Sequence, residues 1–110
     1  MNKICTSIEQ SKKLIELGVD INTADMYWSL TNQNHPPVIG KYCAEYGGMR
    51  LPAWSLSALF DILTEQDFTI KAIGNKFNID IPIRHCKIWF SSLLDAAFEM
   101  ICWLKRERNI

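Results

Sequence analysis

The chain has 110 residues, of which 48% are hydrophobic and 22% are charged. This length predicts a single globular domain over residues 1–110, and this composition excludes an intrinsically disordered chain. Its 12 basic and 12 acidic residues cancel to a formal net charge of zero, so no overall field draws the chain to DNA or to anionic lipid. A local basic patch is compatible with this balance.

The N-terminal sequence MNKICTSIEQ lacks the apolar core of a secretory signal. No apolar run reaches the roughly 18 residues that a membrane-spanning helix needs. We therefore expect a cytoplasmic protein. The cysteines are spaced irregularly and include no C-x-x-C pair, so we expect free thiols at Cys5, Cys43, Cys86 and Cys102.

The first predicted element is an amphipathic surface helix in TSIEQSKKLIELG. Ser7 with Gln10 forms a capping box, which satisfies the first free backbone N–H groups of a helix. Thr6 with Glu9 is an alternative box one residue earlier. Gly18 provides a left-handed stop at the other end. The apolar residues between these signals fall mostly on one side, so the helix covers a core with one face.

The pattern over residues 19–51 is weaker. The sequence NQNHPP is a loop, and VIGKYCAEY at residues 38–46 predicts one strand. A second helix follows in LPAWSLSALFDIL, where Pro52 suits the helix entry and Ser55 suits the N-cap. Acidic residues gather toward the end of this segment, which the helix dipole does not favour, so we expect the helix to end near Thr64.

Residues 68–90 carry the clearest strand pattern. FTIKAI and KFNIDIPI each alternate apolar and polar residues, and Gly74-Asn75 between them fits a two-residue hairpin turn. HCKIWF predicts a third strand. Alternation with a period of two gives the sheet one apolar face, which needs a covering layer.

The last predicted helix begins after Ser92, which forms a capping box with Asp95. Its i, i+3, i+4, i+7 apolar stripe can pack on the sheet. Leu93, Met100 and Trp103 lie off that stripe. We expect the other helices of the chain to cover them, and a homodimer through this helix is the alternative, because Trp and Met are enriched in interface cores.

Together these elements predict an α+β fold, with about three helices packed on a three- or four-stranded antiparallel sheet. The predicted order is helix, one uncertain strand, helix, three strands, helix. Three blocks of the sequence, SIEQSKKLIELGVD, PAWSLSALFDIL and LLDAAFEMICWL, occur in one order and cover about half of the chain. They resemble a group of small uncharacterised proteins of gut bacteria, their phages and mobile elements. The resemblance implies a cytoplasmic accessory protein and does not imply a reaction.

We expect no catalytic residue, no cofactor and no metal site. His85 and Cys86 are adjacent, but their side chains point to opposite faces of a strand, which does not suit a shared metal ion. The sequence has no G-x-S-x-G, no phosphate-binding glycine loop and no H-E-x-x-H. An enzymatic role would require the fold to bring His35 or His85 against a thiol or a carboxylate in a cleft.

Two sets of residues are candidate binding surfaces. The aromatic surface suits a protein partner, because Trp and Tyr dominate binding hot spots; it comprises Trp28, Tyr42, Trp54 and Trp103. The plainer and favoured interpretation is that these aromatic residues cover the core under a long loop. The basic surface combines cations with an aromatic ring, as single-stranded nucleic acid requires; it comprises Lys71, Lys76, Arg84, Lys87 and Trp89.

These surfaces give two functional hypotheses. The first is a non-enzymatic accessory module that acts by protein–protein interaction, as a homodimer in one version. The alternative is a small nucleic-acid-binding module that uses the basic surface. Lysine and arginine are common on the solvent face of any sheet, so we favour the first hypothesis.

Overall fold

The computed structural model describes residues 4–30, 36–40, 50–64, 67–81 and 88–107. Within these ranges the chain forms three helices and five strands, which confirms the predicted α+β class. The helices are α1 (Ile8–Glu16), α2 (Leu56–Leu63) and α3 (Leu93–Arg106). The strands are β1 (Met26–Ser29), β2 (Val38–Ile39), β3 (Arg50–Ala53), β4 (Thr69–Ile73) and β5 (Lys76–Asp80).

Helix α1 begins and ends as its sequence predicts. Ser7 Oγ accepts a 3.1 Å hydrogen bond from the backbone N–H of Gln10, and Gln10 Oε1 accepts a 2.9 Å bond from the N–H of Ser7. This confirms the capping box of Ser7 with Gln10. After the helix, Gly18 has a φ of 91°, a left-handed conformation that glycine adopts without strain.

The first sheet has the antiparallel order β2–β1–β3. Of the predicted strand at residues 38–46, the structure describes residues 38–40, and β2 occupies the first two of them. The prediction that Pro52 opens a helix is wrong, because Pro52 lies in β3 opposite Tyr27. An edge strand such as β3 tolerates proline, since one side of it makes no ladder bonds. Ser55 is the N-cap of α2, as expected.

The second sheet is the predicted hairpin of β4 and β5, with Gly74 at a φ of 60° in the turn. Phe90 adds a single antiparallel bridge to Phe77 on the other side of β5. The remainder of the predicted third strand lies mostly outside the described residues. The described strands are therefore divided between two small sheets, where the sequence pattern predicted one.

The main core lies where α3 packs against α2 and β5. Ser92 Oγ accepts a 3.3 Å bond from the N–H of Asp95, so the Ser92 half of the capping box is confirmed. The carboxylate of Asp95 accepts a 2.8 Å bond from Gln10 Nε2, which ties the first turn of α3 to the first turn of α1.

The chain itself covers most of α3. Met100 is buried, and Leu93 and Trp103 are half-buried against the main core. Eight residues of this helix are buried in the monomer: Leu94, Ala96, Ala97, Phe98, Met100, Ile101, Cys102 and Leu104. The apolar surplus that suggested a dimer through α3 is thus taken up inside the chain.

Candidate interaction surface on the second sheet

The aromatic surface does not form one surface in the structure. Trp54 is fully buried in the main core, and its Nε1 donates a 2.8 Å hydrogen bond to Thr23 Oγ1. The assignment of Trp54 to a partner surface is therefore wrong, and the favoured interpretation, that it covers the core, is correct for this residue. Burial of a large indole with its N–H satisfied is a stabilising arrangement.

The other members of the aromatic surface lie apart in the architecture. Trp28 packs half-buried against the small cluster of Cys5, Met26 and Ala53, whereas Trp103 packs against the main core. Trp28 Nε1 donates a 2.9 Å bond to the backbone carbonyl of Thr6. Tyr42 lies outside the described residues.

Thr6 is the centre of a buried polar network that joins the N-terminal segment to the first sheet. Its Oγ1 shares a 2.8 Å hydrogen bond with Ser11 Oγ and accepts a 3.1 Å bond from the N–H of Trp54. Its own N–H donates to the carbonyl of Trp54 at 2.9 Å. These partners satisfy the buried groups of Thr6, so the network explains stability and offers no group to a ligand.

The hydroxyl of Ser55 is held in a cap. Asp25 accepts a 2.9 Å bond from the backbone N–H of Ser55 and a short bond from its hydroxyl. Ser55 Oγ in turn accepts a 3.2 Å bond from the N–H of Ala58. Asp25 thus places a negative charge at the positive end of α2, which stabilises the helix.

The described thiols are poor nucleophiles. Burial, with the Asp25 carboxylate, raises the pKa of Cys5 from 9.0 to about 11. Burial, with the Glu99 carboxylate, raises the pKa of Cys102 by the same amount, to about 11, although Arg106 and Lys13 oppose the shift. Both cysteines are free and protonated at neutral pH, and the thiolate is the reactive form. In the described ranges, no group of three or more His, Cys, Asp or Glu side chains is placed to hold a metal ion.

The basic surface is only partly described, and its central cation is paired. Lys71 Nζ lies 2.6 Å from Asp80 Oδ2, so part of the positive charge expected on this face is neutralised. Lys76 is exposed at the hairpin end, and Trp89 is 38% exposed. Arg84 and Lys87 lie outside the described residues. The acidic partner was visible in the sequence, but its pairing depends on the register that places Asp80 opposite Thr69.

The second sheet exposes large apolar side chains, of which the alternation pattern assigned Ile70 and Ile88 to a covered face. All five residues of β4 are exposed, among them Ile70 at 43% and Ile73 at 69%. Ile88, at 61%, lies beside Trp89 in the segment that pairs with β5. Helix α3 packs on β5, whose Ile79 is buried, and leaves every residue of β4 exposed.

The outer edge of β4 also presents backbone hydrogen-bonding groups. Phe77 exchanges two backbone hydrogen bonds with Phe90, at 2.7 and 2.8 Å, so its N–H and C=O point away from β4. Its β4 partner, Ala72, therefore belongs to a non-hydrogen-bonded pair, and the N–H and C=O of Ala72 point away from β5. Because strand residues alternate with a period of two, the N–H and C=O of Ile70 also point away from β5. Within the part of the chain that the structure describes, no strand pairs with this edge.

We call the exposed part of the second sheet the hairpin surface: the outer edge of β4 with Ile70 and Ile73, and Ile88 and Trp89 on the other side of β5. Sequence reasoning missed it, except for Trp89. Comparisons of the chain with models of known protein families, with curated proteins and with solved structures find no match. None of the helices in the described ranges has the length and apolar character needed to cross a bilayer.

Proposed function

We propose that this chain is a non-enzymatic accessory module that acts by contact with another protein chain, and that the hairpin surface makes the contact. The observation that carries the proposal is the exposure of β4 along its whole length, with an outer edge that no strand of the described residues pairs with. A strand edge with free N–H and C=O groups is a template for pairing with another chain. Ile70 and Ile73, both exposed on β4, supply apolar side chains beside this edge.

The distribution of exposed apolar residues supports this location. Among the described residues, seven large hydrophobic side chains are exposed, and four of them belong to the hairpin surface. Among the described residues, the hydroxyl of Ser55 is engaged in a helix cap and the thiols of Cys5 and Cys102 are buried. These three groups are poorly placed to act as nucleophiles, which supports contact rather than catalysis.

Two further parts of the proposal, the mobile-element type and the cytoplasmic location, come from the sequence. The three-block resemblance supports an accessory protein of mobile-element type, and the short apolar runs support a cytoplasmic location. Cell fractionation of a tagged chain tests the location. Recovery with membranes or in the secreted fraction would contradict it.

Affinity capture from host cells tests the proposed contact. The variant pair Ile70→Lys and Ile73→Lys, made together, should abolish capture of the partner, because two cations then stand beside the outer edge of β4. Ile39→Lys is the matched control: Ile39 is 84% exposed on the first sheet, so this variant should capture the same partner as the wild type. Equal capture by all three chains would overturn the proposal, provided circular dichroism shows that all are folded.

The nucleic-acid hypothesis is tested on the same protein. Binding through cations should weaken steeply as salt rises, and Lys71→Glu with Lys87→Glu should remove it. The pairing of Lys71 with Asp80 disfavours this outcome. If salt-sensitive oligonucleotide binding is nevertheless found and the two Glu substitutions abolish it, the basic surface, and not the hairpin surface, carries the function.

A further inference from the structure

We infer that the outer edge of β4 is a dimerisation edge, on which a second copy of this chain pairs its own β4 antiparallel about a two-fold axis at Lys71. The inference rests on the proposed function, since it makes the partner on the hairpin surface another molecule of the same protein. It also moves the dimer contact away from α3, whose apolar face is already covered.

The backbone of β4 fits such a pairing. The outward N–H and C=O groups belong to Ile70 and Ala72, which are two residues apart. When two antiparallel copies meet with Lys71 on the axis, Ile70 of each copy lies opposite Ala72 of the other. Residues that face each other with outward groups exchange both backbone hydrogen bonds, so the register yields two hydrogen-bonded pairs related by the axis.

The side chains fit the same register. On the face of the sheet that carries Ile79, the large side chain of Ile70 lies opposite the small side chain of Ala72 from the other copy. The two side chains therefore do not collide, and Ile70, which is partly exposed in the monomer, becomes more buried. On the opposite face, Thr69 of one copy meets Ile73 of the other. Both are β-branched, a class that favours cross-strand packing.

The charge at the axis is compatible with a second copy. Like charges directly opposite each other destabilise a strand pair, and this register places Lys71 opposite Lys71. Asp80, however, lies on β5, on the inner side of β4, and holds Lys71 Nζ at 2.6 Å. Each lysine therefore extends away from the axis toward its own Asp80, and each copy presents a neutralised pair.

The pairing closes on itself and is small. A two-fold contact uses the β4 edge of both copies, so it produces a dimer and no filament through that edge. Five-residue strands with a few flanking side chains bury less than the ~1,000 Å² typical of stable interfaces. The dimer should therefore form and dissociate with protein concentration.

The native mass of the full-length chain, measured by light scattering over a hundredfold range of concentration, should rise from the monomer toward the dimer. Ala72→Pro removes the outward N–H of Ala72 on an edge strand that tolerates proline, and should weaken dimerisation about tenfold or more. Ala72→Ser keeps the N–H and serves as the matched control. A strict monomer over the whole range would overturn the inference.

Cross-linking tests the register without relying on a disruptive variant. With Lys71→Cys, the two new thiols face each other in a non-hydrogen-bonded pair with Cα atoms about 4.5 Å apart, within the ~4.4–6.8 Å that disulfides span. With Thr69→Cys, the two thiols lie roughly 13 Å apart along the strands. Under oxidised glutathione, the Lys71→Cys chain should form a disulfide-linked dimer at residue 71, identified by peptide mapping, and the Thr69→Cys chain should not.

Equal cross-linking of both variants, or of neither, would overturn the register. The failure of this inference is distinguishable from failure of the proposed function. A chain that stays monomeric, yet loses a captured partner when Ile70 and Ile73 are replaced by lysine, would refute the dimer and retain the hairpin surface as a contact for a different protein.

Discussion

The two sheets of this molecule contain similar residues but differ in how deeply those residues are buried. In the first sheet, Met26, Leu51 and Ala53 are buried, and the N-terminal segment binds the sheet through the Thr6 network. In the second sheet, the last three residues of β5 are buried, whereas β4 is exposed at every residue. The number of elements that pack on a strand, and not its own alternation, decides how much of it is buried.

The difference separates a region built for stability from a region that presents a surface. Hydrogen bonds around Thr6, Trp54 and Asp25 connect segments far apart in sequence, and they satisfy groups that burial would otherwise leave costly. The hairpin of β4 and β5 is a local unit, in which substitutions on the outer strand disturb few contacts. Paired substitutions in the two regions test this contrast.

The largest expected effect is at Trp54. Trp54→Ala should lower the free energy of unfolding by about 3–5 kcal/mol, because it leaves a large cavity in the main core and leaves Thr23 without its indole partner. Trp89→Ala on the second sheet is the control and should cost about 1 kcal/mol or less. Urea unfolding followed by circular dichroism measures both. Similar losses for the two variants would erase the distinction between the regions.

Replacing one hydroxyl by one methyl group in each region gives the most closely matched pair of variants. Thr6→Val should cost about 1–3 kcal/mol, because the N–H of Trp54 and the hydroxyl of Ser11 lose their buried partner. Thr69→Val makes the same chemical change on exposed β4 and should alter stability by no more than about 0.5 kcal/mol. Urea titrations of the two variants provide the comparison, and a stability loss at Thr69 equal to that at Thr6 would contradict it.

Alkaline pH should reveal the buried thiols. A raised folded-state pKa means that the folded protein keeps its thiol protons after the unfolded chain has lost them. The stability that the protonated thiols contribute to the folded state is fully present below pH 9.0 and is lost as pH rises to about 11. A variant with Cys5→Ala and Cys102→Ala should therefore lose less stability over this window than the wild type. If the free energy of unfolding falls equally with pH in the variant and in the wild type, these thiols do not contribute to the pH dependence of stability.

The smallest expected effect is at Ile73. In the dilute monomer, Ile73→Thr should change stability by no more than about 0.5 kcal/mol, since the side chain is already 69% exposed. Thermal unfolding at low and at high protein concentration measures the change. A larger loss that appears only at high concentration would place Ile73 inside an intermolecular contact, whereas a large loss at low concentration would show that β4 is covered within the monomer.

The helix ends could be predicted because their chemistry is local. Ser7, Ser55 and Ser92 each bind an N–H within the next three residues, so a few letters of sequence determine the cap. The Gly74-Asn75 turn was predictable for the same reason. Pro52 was misassigned because the same local signal suits a helix start, and only pairing with Tyr27, far away in sequence, makes it a strand residue.

The candidate site could not be predicted because it depends on which residues other elements of the chain bury. Alternation in FTIKAI correctly indicates a strand, but it assigns Ile70 to a buried face, whereas this side chain is 43% exposed. Trp54 was offered for a surface and for the core, and only the three-dimensional packing decides between them. The pairing of Lys71 with Asp80 likewise requires the hairpin register, which places the two side chains on one face.

The hydrogen bond between Gln10 and Asp95 has a consequence for the newly made chain. The two residues are 85 positions apart, so during synthesis the first helix leaves the ribosome well before the residue that binds it. At synthesis rates of about 5–20 residues per second, the delay is roughly 4 to 17 s. Throughout this interval the side-chain amide of Gln10 lacks its acceptor on the last helix, so the bond that ties the two helices together forms only after most of the chain has been made.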